Sequence, residues 1–180
     1  MKNLLILFTL LFLLSCNNAD KPSPQVYSGK ALGTSFQLQF FHENELEISQ
    51  EIDSTFSVLN QSLSTYIPDS DISKINRGDS IILVDEQFVT NFEASKKIHK
   101  QTDGYFDPTV GLLVNAYGFG PIDYNLTMNA KTIDSLMNYV GFDKVSLKKR
   151  KVIKKLPGIY LDFNSIAKGY AVDRLAEVLN

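Results

Sequence analysis

An α+β fold, with an antiparallel or mixed sheet and packed helices, is the class that the sequence predicts. Strand-like alternation of apolar and polar residues occurs at residues 26–41 and 145–162, and helical periodicity occurs between and after these segments. The composition is ordinary for a globular protein, with 180 residues, 44% hydrophobic and 21% charged. It excludes a disordered, collagen-like or low-complexity chain.

Charge and residue counts exclude several classes of function. The formal net charge is -2, so no overall basic field indicates a nucleic-acid partner. A single Cys excludes a disulfide framework and a Cys-rich metal site. The two histidines, His42 and His99, are too few for a His-based zinc site, and each is expected to be a surface or capping residue. No Ser-His-Asp, P-loop or GxGxxG pattern is present.

The amino-terminal residues predict a targeting signal rather than part of the fold. Lys2 precedes an apolar run at residues 4–14, which is shorter than the roughly 20 residues of a membrane span. The run ends in Leu-Leu-Ser-Cys, which resembles the bacterial lipobox, so residues 1–15 are expected to be a lipoprotein signal and Cys16 the lipidated residue. A plain signal with a chance Cys, or a buried core segment, is the alternative. Residues 16–25 then form the lipidated Cys and its polar tether, and residues 26–180 the folded part.

The first half of the folded part is expected to contain two strands and a long helix. Residues 26–41 alternate as a strand or hairpin arm interrupted by Gly33, and Gly within a strand indicates a bulge or a close backbone approach. Apolar residues spaced by three and four predict a helix over residues 43–63. A polar loop at 63–78 and a short apolar strand at 81–84 follow.

The second half is expected to contain three helices, a Gly-rich aromatic segment and a hairpin. The helices are predicted over residues 85–101, 130–140 and 166–179, and Gly141 closes the middle one. The segment 104–120 is rich in Gly and aromatic residues. Residues 145–162 form the hairpin, with the basic run 148–155 at its tip, where charges protect a strand edge from aggregation. Contact of this run with acidic phospholipid or nucleic acid is the alternative. The chain stops within a helical pattern, which favours a fragment over a short chain that ends on a docked helix.

One segment has the residue types expected of an anion site. An apolar strand ends at Asp162, and the helix begins just after Ser165, where Asn164 or Ser165 is expected to cap it. Free backbone N–H groups at a helix amino terminus favour an anion, and Lys168 adds a positive charge. The alternative is an ordinary capped helix whose Lys168 is a solvated surface residue.

Three further segments are candidates for binding a ring or approaching a ligand. Residues 104–111 and 117–120 combine Gly with aromatic faces, although a turn with core aromatics would have the same composition. Residues 63–76 place Tyr66 in a polar loop that could hold a planar ring or be an ordinary surface loop. Leu32-Gly33-Thr34 is the third segment.

Together these segments resemble the FAD:protein FMN transferase, or ApbE-like, family. The resemblance covers about residues 27–180, and its most specific part is Ile-Ala-Lys-Gly-Tyr-Ala-Val-Asp at 166–173. It implies an ApbE-like, T-fold-related domain, of which residues 26–180 are the amino-terminal part. It also implies Mg²⁺-dependent transfer of FMN from FAD to a Thr or Ser hydroxyl of an acceptor, with release of AMP. Such acceptors are membrane redox subunits.

The resemblance also assigns roles to single residues. FAD contact is implied for Leu32, Tyr66, Tyr105, Phe106, Asp107, Asp162 and Lys168, with Lys168 at phosphate and Tyr66 stacked on a ring. Ser165 corresponds to a position that ligates Mg²⁺ through its backbone carbonyl. Tyr117 replaces a Trp, and Asn164 and Ser165 replace smaller residues of the family's pattern. No catalytic residue is assigned, and the family's remaining Mg²⁺ ligands lie in a second half beyond residue 180.

Two other activities remain open on the sequence. One is an FAD pyrophosphatase that releases FMN and AMP without an acceptor. The other is a non-catalytic flavin-binding lipoprotein fragment. With its lipid anchor, the protein is expected in the bacterial cell envelope, on the periplasmic or outer side of a membrane.

Overall fold

The computed structural model of the protein describes residues 23–179. The expected lipoprotein signal at 1–15, Cys16 and the first part of the tether lie outside the described residues. Within them, no helix combines the length and apolar character that crossing a bilayer requires.

Two compact units divide the described chain. The first comprises residues 23–30 and Ser35–Glu47, and the second comprises Ala31–Thr34 and everything from Ile48 onward. Strands β1 (Gln25–Ala31) and β2 (Thr34–Phe40), which belong to the first unit except for Ala31 and Thr34, pair as a hairpin. The rings of Tyr27 and Phe40 stack with their centroids 6.0 Å apart.

A turn replaces the bulge that was expected at Gly33. Leu32 and Gly33 connect the two strands, and both have positive φ, at 50° and 73°. That is the geometry of a two-residue type I′ turn, whose backbone twist matches the twist of paired strands. Residues 26–41 are therefore two strands joined by a tight turn.

The second unit is mainly helical. Its helices are α1 (Ser49–Leu63), α2 (Asp71–Asn76), α3 (Glu86–Gln101), α4 (Gly111–Ala116), α5 (Ala130–Met137) and α6 (Asn164–Val178). Strands β3 (Val145–Lys148) and β4 (Lys151–Lys154) pair antiparallel, preceded by a 3-10 turn at Phe142–Lys144. The predicted α+β class and the second hairpin are confirmed, and the sheets of the described chain are both two-stranded.

The core lies where α1, α3 and α6 meet. Helix α1 packs against both α3 and α6. Phe88 of α3 meets Phe163, just before α6, edge to face with ring centroids 5.2 Å apart, and both side chains are fully buried. Aromatic pairs in this geometry stabilise a core beyond the area they bury. Ala167, Ala171 and Leu175 form the buried face of α6.

Helix α2 is absent from the sequence prediction, which has a loop at 63–78. Ser70 caps the helix, since its hydroxyl accepts from the Ser73 N–H, and the side chains of Ile72 and Ile75 are buried beneath it. A capping Ser followed by two apolar residues three apart is the signal that could have predicted this helix. The long helix before it begins at Ser49 rather than at residue 43.

The strand predicted at 81–84 is wrong, because these residues have no strand partner in the described chain. Within the described chain, a single backbone–backbone hydrogen bond joins residues 81–84 to the hairpin of β3 and β4. The Val84 N–H donates to the Arg150 carbonyl at 2.9 Å. Val84 is buried, whereas Ile81 and Leu83 expose 76% and 63% of their surface. The predicted hairpin at 145–162 ends early, since residues 155–163 continue without strand pairing apart from one isolated parallel bridge between Val110 and Tyr160.

Candidate ligand site

An open cavity of about 590 Å³ in the second unit collects the residues that the sequence singled out. All eight expected ligand or metal residues line it, although they come from four separate segments of the chain. Of the other five lining residues, Gly33, Val110 and Phe119 belong to segments that the sequence singled out, Asn164 was expected only as a helix cap, and Val114 was not singled out. The full lining is Leu32, Gly33, Tyr66, Tyr105, Phe106, Asp107, Val110, Val114, Phe119, Asp162, Asn164, Ser165 and Lys168.

The amino terminus of α6 forms the polar wall of the cavity. The expected cap by Asn164 or Ser165 is wrong, because the N-cap position is Phe163 and no side chain caps the first turn from there. The Asn164 N–H donates to Asp162 Oδ1 at 2.7 Å, whereas the Ser165 N–H has no recorded partner within the described chain. A 15-residue helix whose first turn keeps a free N–H, with Lys168 one turn in, attracts an anion.

The segment before α6 is held rigidly in place. Both polar atoms of the Asn76 side chain bond the backbone of Leu161, each at 2.8 Å, and the Asp162 N–H donates to the Pro108 carbonyl at 2.8 Å. The bridge between Val110 and Tyr160 lies alongside. These bonds fix Asp162 and the start of α6 against the loop that carries Asp107.

Asp162 is a buried carboxylate, with 8% of its surface exposed. Burial raises its pKa above the ordinary value of 3.8, and hydrogen bonds from Asn164 and the positive charge of Lys168 oppose that rise. Burial is the largest of these effects, so the pKa of the Asp162 carboxyl stays above its ordinary value although Asn164 and Lys168 favour the ionised form.

Because its pKa is raised in the folded state, the ionised Asp162 side chain lowers stability at neutral pH. This cost is relieved as the pH falls through the raised pKa of the folded state, and it disappears below 3.8, where the carboxyl becomes protonated in both states. An Asn at this position keeps the acceptor for the Asn164 N–H and carries no charge. We therefore expect Asp162→Asn to unfold at the same or a higher temperature than wild type at pH 7, and the difference to be smaller at pH 3.8. Thermal unfolding at the two pH values measures this, and a markedly less stable variant at pH 7 would contradict it.

Asp107 has a structural task in addition to its place on the cavity wall. Its Oδ1 accepts from the N–H and the hydroxyl of Thr109, at 2.8 and 2.6 Å, and its Oδ2 accepts from the Phe142 N–H at 2.9 Å. These bonds attach the loop that carries Asp107 to the 3-10 turn at Phe142–Lys144, before β3. Each carboxylate oxygen can accept more than one bond, so a ligand contact at Asp107 remains a prediction.

His99 supports the same loop. Its Nδ1 lies 2.8 Å from the Phe106 carbonyl and 3.7 Å from Asp107 Oδ2. The side chain is at the end of α3 and half-buried, rather than free at the surface. His99 thus holds the backbone between Tyr105 and Asp107, a role that local sequence did not indicate.

Aromatic side chains form the rim of the cavity. Tyr66 donates its hydroxyl to the Phe119 carbonyl at 2.9 Å, which joins two loops across the opening. Tyr105 and Phe119 are 97% and 77% exposed. Large apolar side chains exposed together beside a polar cavity are typical of ligand-binding surfaces. The loop that carries Tyr66 is fixed from below, because the hydroxyls of Ser70 and Ser73 both donate to the Ser64 carbonyl.

The residues present fit one part of a magnesium site. Among residues 23–179, no three His, Cys, Asp or Glu side chains converge into a group that could hold a metal. Mg²⁺, however, is commonly bound by one or two protein oxygens together with water and substrate phosphates. The Ser165 carbonyl retains a free lone pair even within the helix and lies at the cavity wall, so it fits such a partial ligand set.

The fold and the cavity define a helix-rich α+β domain whose cavity combines an aromatic rim with a cationic helix amino terminus. The chain belongs to the ApbE family, whose model matches residues 32–180. Two curated relatives named FAD:protein FMN transferase are each 31% identical to this chain. The match to the relative from Haemophilus influenzae covers 84% of this chain and 48% of the relative. The match to the relative from Vibrio cholerae covers 99% of this chain and 55% of the relative. The solved flavin transferase ApbE from Vibrio cholerae matches at a TM-score of 0.81 and 28% identity, over 88% of this chain and 53% of that one. The chain thus spans about half the length of these relatives.

Proposed function

We propose that the whole protein transfers FMN from FAD to a Thr or Ser hydroxyl of an acceptor protein and releases AMP. Membership of the ApbE family and the names of the relatives support flavin transfer in general. The observation that carries the proposal here is the single cavity that unites the aromatic rim with the α6 amino terminus, Lys168 and Asp162.

The proposed position of FAD follows from the chemistry of the aromatic rim and of the polar wall at the amino terminus of α6. Tyr66 and Tyr105 present exposed ring faces on which a flavin or adenine ring can stack. Leu32, Phe106 and Asp107 contact FAD from the sides of the cavity. Lys168 and the free N–H at the start of α6 neutralise the pyrophosphate, and Asp162 accepts hydrogen bonds from FAD.

The proposed reaction is a phosphoryl-type transfer. The acceptor hydroxyl oxygen bonds to the FMN phosphorus and its proton is released to solvent. The bond between that phosphorus and the bridging oxygen breaks, and AMP leaves with that oxygen and the electron pair of the broken bond. Charge builds on the phosphate oxygens, and donors fixed beforehand around them lower the barrier. Mg²⁺ held in part by the Ser165 carbonyl would supply Lewis-acid stabilisation of the same charge.

The intact mass of an acceptor tests the proposal. The natural full-length protein without its signal is incubated with FAD, Mg²⁺ and a redox-subunit domain that carries the acceptor Thr. We expect the acceptor to gain the mass of one FMN, and EDTA to abolish the gain. An unchanged acceptor with free FMN and AMP would instead indicate an FAD pyrophosphatase. FAD bound but not consumed would indicate a flavin-binding module.

We also propose that the protein is anchored in the bacterial cell envelope through a lipid on Cys16, with membrane redox subunits as its acceptors. The support is the apolar run followed by the only Cys of the chain. We expect the wild-type chain, but not the Cys16→Ala variant, to incorporate a labelled fatty acid in bacterial cells, and equal labelling of the two would contradict lipidation at Cys16.

A further inference from the structure

The outward face of the second hairpin is basic. In the register of β3 and β4, Lys148 pairs with Lys151 and Ser146 with Ile153, which places these four side chains on one face. The opposite face turns inward, since it includes the buried Val145 and the half-buried Lys154. We use the name basic hairpin face for Lys148, Lys149, Lys151 and Ile153.

The lysines of this face are not neutralised within the described chain. Lys148, Lys149 and Lys151 are exposed and take part in none of its recorded ion pairs. Their basic neighbours are paired, Arg150 with Glu86 at 2.7 Å and Lys155 with Asp143 at 3.7 Å, although both pairs are largely open to solvent. Three free cations therefore stand together on a chain whose formal net charge is -2.

The turn of the hairpin adds a second observation. Lys149 and Arg150 have positive φ, at 49° and 61°. Asn and Gly are the residues usually found in such a turn, because a long side chain is disfavoured there. Local folding preference therefore does not account for two cations at the tip of this hairpin.

Exposed aliphatic side chains lie beside these cations. Residues 79–84 run past the hairpin, because Asp79 and Ser80 line a groove with Lys148 and Lys151, and Val84 bonds Arg150. Ile81 and Leu83 in this segment are 76% and 63% exposed, and Ile153 is 47% exposed. Asp79, the one acidic side chain lining that groove, accepts the Ile81 N–H.

We propose that the basic hairpin face, with Ile81 and Leu83, docks on a bilayer of anionic phospholipids. The lysine ammonium groups complement the headgroup phosphates, and aliphatic side chains between them can enter the boundary between headgroups and acyl chains. The anionic bilayer is favoured because its negative charge complements the lysines. The aliphatic side chains between them can enter a fluid apolar layer, which does not need a surface of complementary shape. The contact is independent of flavin chemistry. It would give a tethered domain a second attachment point and so a defined orientation on the membrane.

Vesicle binding tests the proposal. The chain from residue 16 onward, with Cys16→Ser so that no lipid is attached, is sedimented with vesicles of phosphatidylglycerol and phosphatidylcholine, and with pure phosphatidylcholine. We expect binding to the anionic vesicles only, weakened by added salt. Lys148→Gln/Lys149→Gln/Lys151→Gln should weaken it by roughly a hundredfold, at about fivefold for each lysine. Ile81→Ser/Leu83→Ser should weaken it at high salt, where the apolar contribution dominates.

A matched control distinguishes binding through the basic hairpin face from a general effect of the net charge. Lys96, Lys97 and Lys100 are exposed on α3, and Lys96→Gln/Lys97→Gln/Lys100→Gln changes the net charge equally. We expect that control to bind anionic vesicles to within about twofold of the parent chain. Circular dichroism verifies that every variant is folded. Equal loss in both triple variants, binding to neutral vesicles alone, or no binding to anionic vesicles would each overturn the proposal, the last leaving an acidic protein surface as the partner.

Discussion

Lys168→Ala is expected to weaken FAD binding about thirtyfold while leaving the free energy of unfolding within about 0.5 kcal/mol of wild type. Lys168 lines the cavity, is exposed, and takes part in no recorded hydrogen bond or ion pair of the described chain. Its removal therefore costs the fold little, and Ala is a good helix former. A charge-assisted bond to phosphate, in contrast, contributes roughly 1.5–3 kcal/mol. Flavin fluorescence titration of the full chain and urea unfolding measure the two quantities.

Lys96→Ala is the matched control for this prediction. Lys96 is also an exposed helical lysine, on α3, and it does not line the cavity. We expect its FAD affinity and its stability to equal those of wild type. If both variants bound FAD equally well, Lys168 would be an ordinary surface residue and the phosphate assignment would be wrong.

Gly111→Ala is expected to destabilise the protein by roughly 3 kcal/mol, or about 10 °C in Tm. A Cβ at Gly111 would lie 2.3 Å from Tyr160 Cδ1 and 2.9 Å from the Tyr160 carbonyl oxygen. The ring cannot move away, because Tyr160 is buried, and the backbone cannot, because Tyr160 bridges Val110. A displacement there also moves Asp162, two residues on, so we expect FAD binding to fall in the same variant.

Gly169→Ala is the contrasting substitution, since it adds the same methyl group to another helix. No heavy atom lies within 4 Å of a Cβ built at Gly169, which is exposed in the interior of α6. Because Ala restricts the unfolded chain and favours the helix, we expect it to raise stability by about 0.5–1 kcal/mol. Thermal unfolding of the two variants compares their Tm values. Similar Tm values would contradict the close approach of Gly111 to Tyr160.

Elements whose signals are local could be predicted from the sequence. Asp85 predicts the start of α3, and its carboxylate does cap that helix by accepting from the Phe88 N–H at 2.9 Å. Asn129 likewise caps α5. The segment at 81–84 shows where such signals fail. Its apolar run is typical of a strand, but a strand needs a partner, and the described chain offers it none.

The residues of the candidate site were chosen individually from sequence, but their convergence was not visible there. Asn164 donates to Thr65 across 99 positions of the chain, at 3.2 Å, and so joins the start of α6 to the loop that carries Tyr66. Phe119 lies within the candidate segment 117–120. Val114, in the short helix α4, was not singled out, because an aliphatic residue there has the same local pattern in a core and at a cavity. The contact between His99 and the Phe106 carbonyl could not be predicted for a similar reason. Every residue has a backbone carbonyl, so the sequence does not indicate which one a histidine contacts.

By itself, then, the sequence determined the α+β class, most of the helices, the candidate residues and the family resemblance. These depend on side-chain periodicity, capping residues and motif spacing, which act over a few positions. Only the tertiary structure decided that four distant segments share one cavity, that Asp162 is buried beside Lys168, and that the basic hairpin face stands next to exposed aliphatic residues. Burial and electrostatic coupling depend on distance in space, and packing rather than local propensity sets that distance.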